Sequence, residues 1–255
     1  ASFKKILKLW LILELGNTWS VLNQQKDEDS IEPIRADFHI HTTFSPDSSF
    51  KIKDVIEACL RENLNLIAVT DHHTIEGAKT IQSEAPFPVI IGQEILSSDG
   101  EIIGLFLDKT IKSKLSAKDT VKAIKDQGGF VQIPHPFDRF RNNHINKKAL
   151  LEILYDVDII EIFIARTIMT KDIDEAIQFY TNNKEEFNLH KVGVTDSHTN
   201  YEIGKTYNEL PMYDGKETFL DSLNHTKVLG KKITPLIHVL TRYTTWSKKL
   251  RSYND

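Results

Sequence analysis

Asp37-Phe38-His39-Ile40-His41-Thr42-Thr43-Phe44-Ser45-Pro46-Asp47 sets two histidines one residue apart at the end of a short apolar run. On a strand, residues i and i+2 point to the same side, so His39 and His41 present two imidazoles to one point, a geometry suited to a metal ion. Read alone, the stretch is equally compatible with a half-buried strand carrying two incidental histidines. The choice is made downstream. Thr70-Asp71-His72-His73, Glu94, Pro134-His135-Pro136 and Thr195-Asp196-Ser197-His198 each follow an apolar run in the same way.

Outward from this stretch, short β-branched runs alternate with longer helical patterns. The expected strands cover 36–41, 66–70, 89–93, 102–107, 130–134, 159–163 and 192–195, seven in all. The expected helices cover 52–62, 75–83, 117–126, 147–155 and 173–182, with Ser116 and Asp172 as N-caps. Ser97-Ser98-Asp99-Gly100 reads as a hairpin or tight loop between the third and fourth strands. Such alternation implies a mostly parallel sheet, open or closed. His39 and His41, Asp71 and His72, Glu94, His135 and Asp196 fall at or just beyond the C-terminal ends of separate strands. A barrel brings those ends to one mouth, whereas an open sheet unites only those near a switch point, so the expected fold is an α/β barrel.

The 255 residues suffice for one barrel-sized domain. A formal charge of -4, with a pI near 6.2, argues against a protein that grips duplex nucleic acid over a wide basic face. Nucleic acid is thereby expected as a substrate only. Cys59 is the single cysteine, so no intrachain disulfide can form, and a cytoplasmic setting fits. Residues 1–34 read as an amphipathic or partly buried helix followed by a polar linker, Asn23 to Ser30, with the catalytic domain over 35–255. Lys8 and Glu14 interrupt the N-terminal apolar run, and no stretch approaches the roughly 20 apolar residues that span a bilayer. For the basic, aromatic segment Thr241 to Arg251, the expectation is a helix closing the barrel floor or flank.

Imidazoles mixed with carboxylates suit zinc, manganese or ferrous iron, and a carboxylate among imidazoles can bridge two cations. Glu94 is the best bridge candidate.

His39-x-His41, Thr70-Asp71-His72, Gly92-Gln93-Glu94, Pro134-His135-Pro136 and Asp196-Ser197-His198, in that order, resemble the motifs of the PHP (polymerase and histidinol phosphatase) family. The resemblance extends from residue 36 to about 245 and includes Glu202-Ile203-Gly204 and a C-terminal segment like that of stand-alone members. It implies a distorted seven-stranded, TIM-like (β/α)7 barrel with two or three divalent ions at the C-terminal ends of its strands. It further implies that His39, His41, Glu94 and Asp196 hold one ion and that Glu94 bridges to a second, also bound by His135. His72 and His198, with an acidic residue after the first motif, would hold a third, while Asp71 would orient a ligand or bind through water. The implied activity is hydrolysis of a phosphate ester by metal-activated water, on a nucleotide, a small phosphomonoester or a short oligonucleotide. Amide or lactone hydrolysis and a non-catalytic metal-binding module are the alternatives.

Two positions depart from the family pattern. Pro46 separates Ser45 from the acid, which is therefore Asp47, and Glu101 stands where many relatives carry a histidine. A more acidic site favours harder cations such as manganese over zinc. Among the cations, Arg139 and Arg141 after the His135 motif, and Arg166 after the sixth strand, are expected to grip the phosphate. Solvent or a nearby acid such as His198 is expected to protonate the leaving oxygen, and Glu161 is a carboxylate acceptor behind the ligands. His73 is expected at the surface. The oligomeric state is left open.

Overall fold

The computed structural model describes residues 33–251. The N-terminal helix and linker expected over 1–34 lie outside these residues, apart from the last two positions. Nine strands form one sheet: β1 Ile34–Ile40, β2 Leu66–Val69, β3 Val89–Ser97, β4 Gly100–Leu105, β5 Phe130–Ile133, β6 Ile159–Ile164, β7 His190–Val194, β8 Thr206–Leu210 and β9 Lys227–Gly230. Helices α1 (Ile52–Arg61), α2 (Glu76–Glu84), α3 (Ala117–Lys125), α4 (Lys147–Ile153) and α5 (Thr170–Phe187) fall between successive strands. A short α6 (Phe219–Leu223) precedes β9, and α7 (Ile237–Arg251) follows it. No helix among the described residues is long and apolar enough to cross a membrane.

The spatial order β7-β6-β5-β4-β3-β2-β1-β8-β9 leaves β7 and β1 to close the barrel. They meet at the mouth, where His41 N donates to Ser197 O at 2.9 Å. Lower down, Asn208 of β8 fills the seam: its amide donates to Ala36 O (3.1 Å) and Gly193 O (2.7 Å) and accepts from Gly193 N (2.9 Å). One side chain thus satisfies backbone groups that a continuous β1–β7 ladder would pair. This seam explains the two strands beyond the expected seven, since β8 pairs antiparallel with the outer edge of β1 and β9 with β8.

Strand β4 runs antiparallel to both neighbours, and the Ser97–Gly100 turn closes the β3–β4 hairpin. As a result β3 continues past its expected end, and Glu94 sits within it, opposite Ile103. An antiparallel strand also begins where its neighbours end, which brings Glu101 to the mouth.

Ala36 and Phe38 pack inside the barrel with Ala68, Ile103 and Val192, whereas Ile40 packs outside against residues of α1 and α2. Strict alternation would place Phe38 and Ile40 on one side. The β1–β2 register shifts between Asp37 and Ile40, and a bulge of this kind changes the phase, turning His39 and His41 inward above Phe38. At the floor, Phe219 of α6 contacts Phe38, Phe106, Phe130 and Tyr213 with ring centroids 5.1–5.9 Å apart.

Ser116 caps α3 as expected, its Oγ accepting from Asp119 N at 3.1 Å. Asp172 does not cap α5, because that helix starts at Thr170 and buries Asp172 in its first turn. The C-terminal helix α7 lies against the mouth rather than the floor: Thr241 accepts from Arg166 Nη2 at 2.6 Å, and Lys248 reaches the β1–α1 loop.

Candidate metal centre

The phase change in β1 aims two imidazoles at one carboxylate. His39 Nε2 and His41 Nε2 lie 3.0 Å apart, and 3.3 and 3.2 Å from Glu94 Oε2. Asp196 Oδ1 completes the group at 3.5 and 3.3 Å from the same nitrogens.

Local hydrogen bonds set the imidazole tautomers. His39 Nδ1 donates to Glu161 Oε1 at 2.8 Å, and Gln132 Nε2 donates to the same oxygen at 2.8 Å. Ser45 Oγ donates to Asp71 Oδ1 at 2.9 Å, so His41 Nδ1, 3.0 Å from Ser45 Oγ, must be the donor in that pair. With Nδ1 of each ring engaged in this way, His39 and His41 turn their Nε2 atoms toward each other, and a cation that replaced the Nε2 protons would be held by both rings. Asp196 Oδ1 and Asp47 Oδ1 are buried without a hydrogen-bond partner. Imidazole nitrogens, carboxylate oxygens and these orphaned acceptors together fit divalent metal ions.

Two further groups flank the first. His72 with Glu94 and Glu101, and His41 with Asp47 and His198, each offer ligand atoms within 4.8 Å of one another. Glu94 Oε1 lies 3.0 Å from His135 Nε2, and Glu101 Oε2 lies 3.6 Å from that nitrogen. Asp47 Oδ2 is 2.9 Å from His198 Nε2 and 3.5 Å from His72 Nε2, so Pro46 does not keep this carboxylate away from the centre.

Positive charge balances these acids. Burial alone would lower the His72 pKa, yet Glu94 and Asp47 raise it to about 10. Burial likewise opposes ionisation of Glu94, but His39 and His72 hold its carboxyl well below the usual range. His198 goes the other way: burial, then Arg166, lower it to about 4, which removes the proton expected of a general acid at neutral pH.

Asp71 spends its carboxylate on Thr42 N (2.6 Å), Thr42 Oγ1 (2.7 Å) and Ser45 Oγ, and so orients the loop beneath His41. Helix α2 approaches so closely that a Cβ on Gly77 would stand 2.0 Å from Asp71 Oδ2. His73 is exposed, as expected. Of the three arginines, Arg141 donates through Nη2 to Asp196, and Arg166 donates to Asp196 O at 3.1 Å and contacts His198 Nδ1. Both line a cavity of about 290 Å³ together with Asp47 and His198. Arg139, expected beside the phosphate, instead gives Nε to the buried Asp172 at 2.7 Å, because that carboxylate requires a cation.

Several contributing residues lie outside the set of ligands and phosphate contacts expected from the sequence. Glu202 accepts from His198 N at 2.9 Å; its Glu-Ile-Gly motif hinted at a role. Asp37 accepts from Thr195 and joins β1 to the end of β7. His238 and Lys248 of α7 reach the mouth from a segment whose pattern reads only as an amphipathic helix.

A distorted β/α barrel whose strand ends gather imidazoles, carboxylates and two guanidiniums defines a class of barrel suited to holding metal ions beside an anion. The PHP domain model matches residues 37–146, which contain His39 through His135 but neither Asp196 nor His198. MJ1587 of Methanocaldococcus jannaschii is 35% identical over 145 residues, spanning 51% of this chain and 81% of that protein. The chain belongs to the PHP domain family. Among solved structures, a two-domain Bacteroides vulgatus protein containing a predicted PHP-like metal-dependent phosphoesterase superimposes with a TM-score of 0.62 at 17% identity, over 78% of this chain and 65% of its own. This chain thus spans slightly less than two thirds of that protein. PsfC from Pseudomonas syringae superimposes with a TM-score of 0.58 at 15% identity, over 85% of this chain and 99% of its own.

Proposed function

We propose that the protein is a metal-dependent phosphoesterase, acting on a nucleotide, a small phosphomonoester or a short oligonucleotide. The observation that carries this reading is the convergence of His39, His41, Glu94 and Asp196 on one point, with the Arg141 guanidinium on the far side of Asp196. His39, His41, Glu94 and Asp196 would hold one ion; Glu94, His135 and Glu101 a second; His72, His198 and Asp47 a third. Bound divalent ions would supply Lewis-acid stabilisation of phosphoryl charge and a lowered pKa for water.

The chain's own groups do the rest. Glu161 and Ser45 engage Nδ1 of His39 and His41, so that Nε2 is the atom each ring presents to the centre. Arg141, partly exposed on the cavity wall, offers its remaining N–H groups to phosphate oxygens. Arg166 is almost fully committed to Asp196, His198 and Thr241, so it holds the wall rather than the substrate. Protonation of the leaving oxygen falls to solvent.

Inorganic phosphate release from a panel of nucleotides, sugar phosphates and short oligonucleotides, with manganese or zinc added, tests this function. Turnover is expected with at least one phosphate ester and is lost in the His39→Ala/Asp196→Ala double variant. Cleavage of amides or lactones without phosphate release would replace the reading with carbon-centred hydrolysis.

A further inference from the structure

The ammonium of Lys248 on α7 donates to three backbone carbonyls of the β1–α1 loop: Thr43 O at 2.9 Å, Ser45 O at 2.8 Å and Ser48 O. An ammonium has three N–H donors, and all of them are used here. The loop between these carbonyls carries Asp47. We infer that Lys248 is a positioning residue through which α7 sets the metal affinity of the Asp47–His72–His198 group; the inference rests on reading Asp47 as a metal ligand.

The physical argument begins with what holds Asp47. Its side chain is 24% exposed, so packing does not immobilise it as it does the fully buried His39 and Asp196. Pro46 donates no backbone hydrogen bond. The carboxylate position therefore depends on the backbone on either side, at Ser45 and Ser48. Ser45 Oγ is already engaged beneath His41 and accepts from His72 N at 2.9 Å, while Ser48 Oγ donates to His198 O at 3.1 Å. Both residues turn their carbonyls to Lys248. Without the ammonium, three carbonyl dipoles point at one another with no cation between them, and the loop relaxes outward, withdrawing Asp47 from His198. The helix is anchored independently at its start, where His238 Nε2 donates to Arg166 O at 2.9 Å and Thr241 accepts from Arg166. Losing Lys248 therefore releases the loop while α7 stays docked.

Because such coupling is reciprocal, a metal ion that fixes Asp47 also stabilises α7 through Lys248. Residues that orient a ligand from behind typically change metal affinity by about 10- to 100-fold when removed.

The test is manganese titration of the full chain by calorimetry and equilibrium dialysis, with Lys248→Met, Asp47→Ala and the double variant, alongside hydrogen exchange of α7. Lys248→Met is expected to weaken the Asp47-dependent site by about 10- to 100-fold, leaving the others within experimental scatter, and to add nothing further on the Asp47→Ala background. Saturating manganese is expected to slow exchange across α7 in the unaltered protein but not in Asp47→Ala, an arm that stands even if Lys248→Met does not fold. Wild-type manganese binding by Lys248→Met, with the site lost in Asp47→Ala, overturns the clamp alone. Unaltered binding by Asp47→Ala overturns the ligand assignment and the clamp with it, and exchange in α7 indifferent to manganese also overturns the clamp.

Discussion

His39 Nδ1 donates to Glu161 Oε1 across the barrel at 2.8 Å, with both side chains wholly buried. Glu161 Oε2 meanwhile accepts from His135 N at 2.8 Å. One carboxylate thus orients a candidate ligand on β1 and the backbone of another after β5, so the geometry of the centre depends on a residue outside the candidate ligand set.

Glu161→Gln keeps the shape but weakens the acceptor and removes the charge that favours the Nδ1–H tautomer of His39. Metal affinity is expected to fall by about 10- to 100-fold with the fold intact, measured by chelator competition and circular dichroism. Affinity within two-fold of wild type would show that packing alone holds the imidazole.

Proton release should accompany metal binding. With its pKa raised to about 10, His72 carries a proton at pH 7 in the metal-free protein and must lose it to coordinate. The sign follows: apparent affinity falls as pH is lowered and rises toward pH 10. Calorimetric titrations in buffers of different ionisation heat should report about one proton or more displaced per chain near pH 7. Zero net release would remove His72 from the ligand set.

Glu101→His exchanges a hard oxygen donor for an imidazole at 3.6 Å from His135 Nε2. The ratio of zinc to manganese taken up from an equimolar mixture is expected to rise, as read by elemental analysis. An unchanged ratio would mean that Glu101 does not touch the metal.

Phe219→Ala removes the aromatic group on which four other rings converge at the floor. The expected cost is about 3–5 kcal/mol of unfolding free energy by denaturant titration. Metal stoichiometry should be retained, because the floor and the mouth are separate layers of the barrel interior.

Much of the centre was legible before the fold was known. His39 and His41 declare a shared direction through i, i+2 spacing, and Asp71, His135 and Asp196 declare a shared end of the barrel by ending apolar runs. The spacing did not reveal the bulge between Asp37 and Ile40, since a phase shift arises from pairing with β2 rather than from β1 itself. Nor did it reveal the role of Asn208, whose strand is short and half polar and gains its place only by bridging Ala36 and Gly193. Asp172 looked like a helix cap and Arg139 like a phosphate ligand. The helix starts before Asp172, and the buried carboxylate takes the Arg139 guanidinium as its partner instead.

The sequence by itself determined the donor inventory, its order along the chain and the alternation of strand and helix that makes a barrel, all consequences of local periodicity and side-chain chemistry. Only the tertiary structure decided which carboxylate serves which imidazole. Glu94 reaches His39, His41 and His135 together, Glu101 arrives through an antiparallel strand, and Lys248 spans from α7 to the loop of Asp47. Hydrogen bonds and ion pairs select partners by distance and desolvation in three dimensions, and neither is encoded in the spacing of residues along the chain.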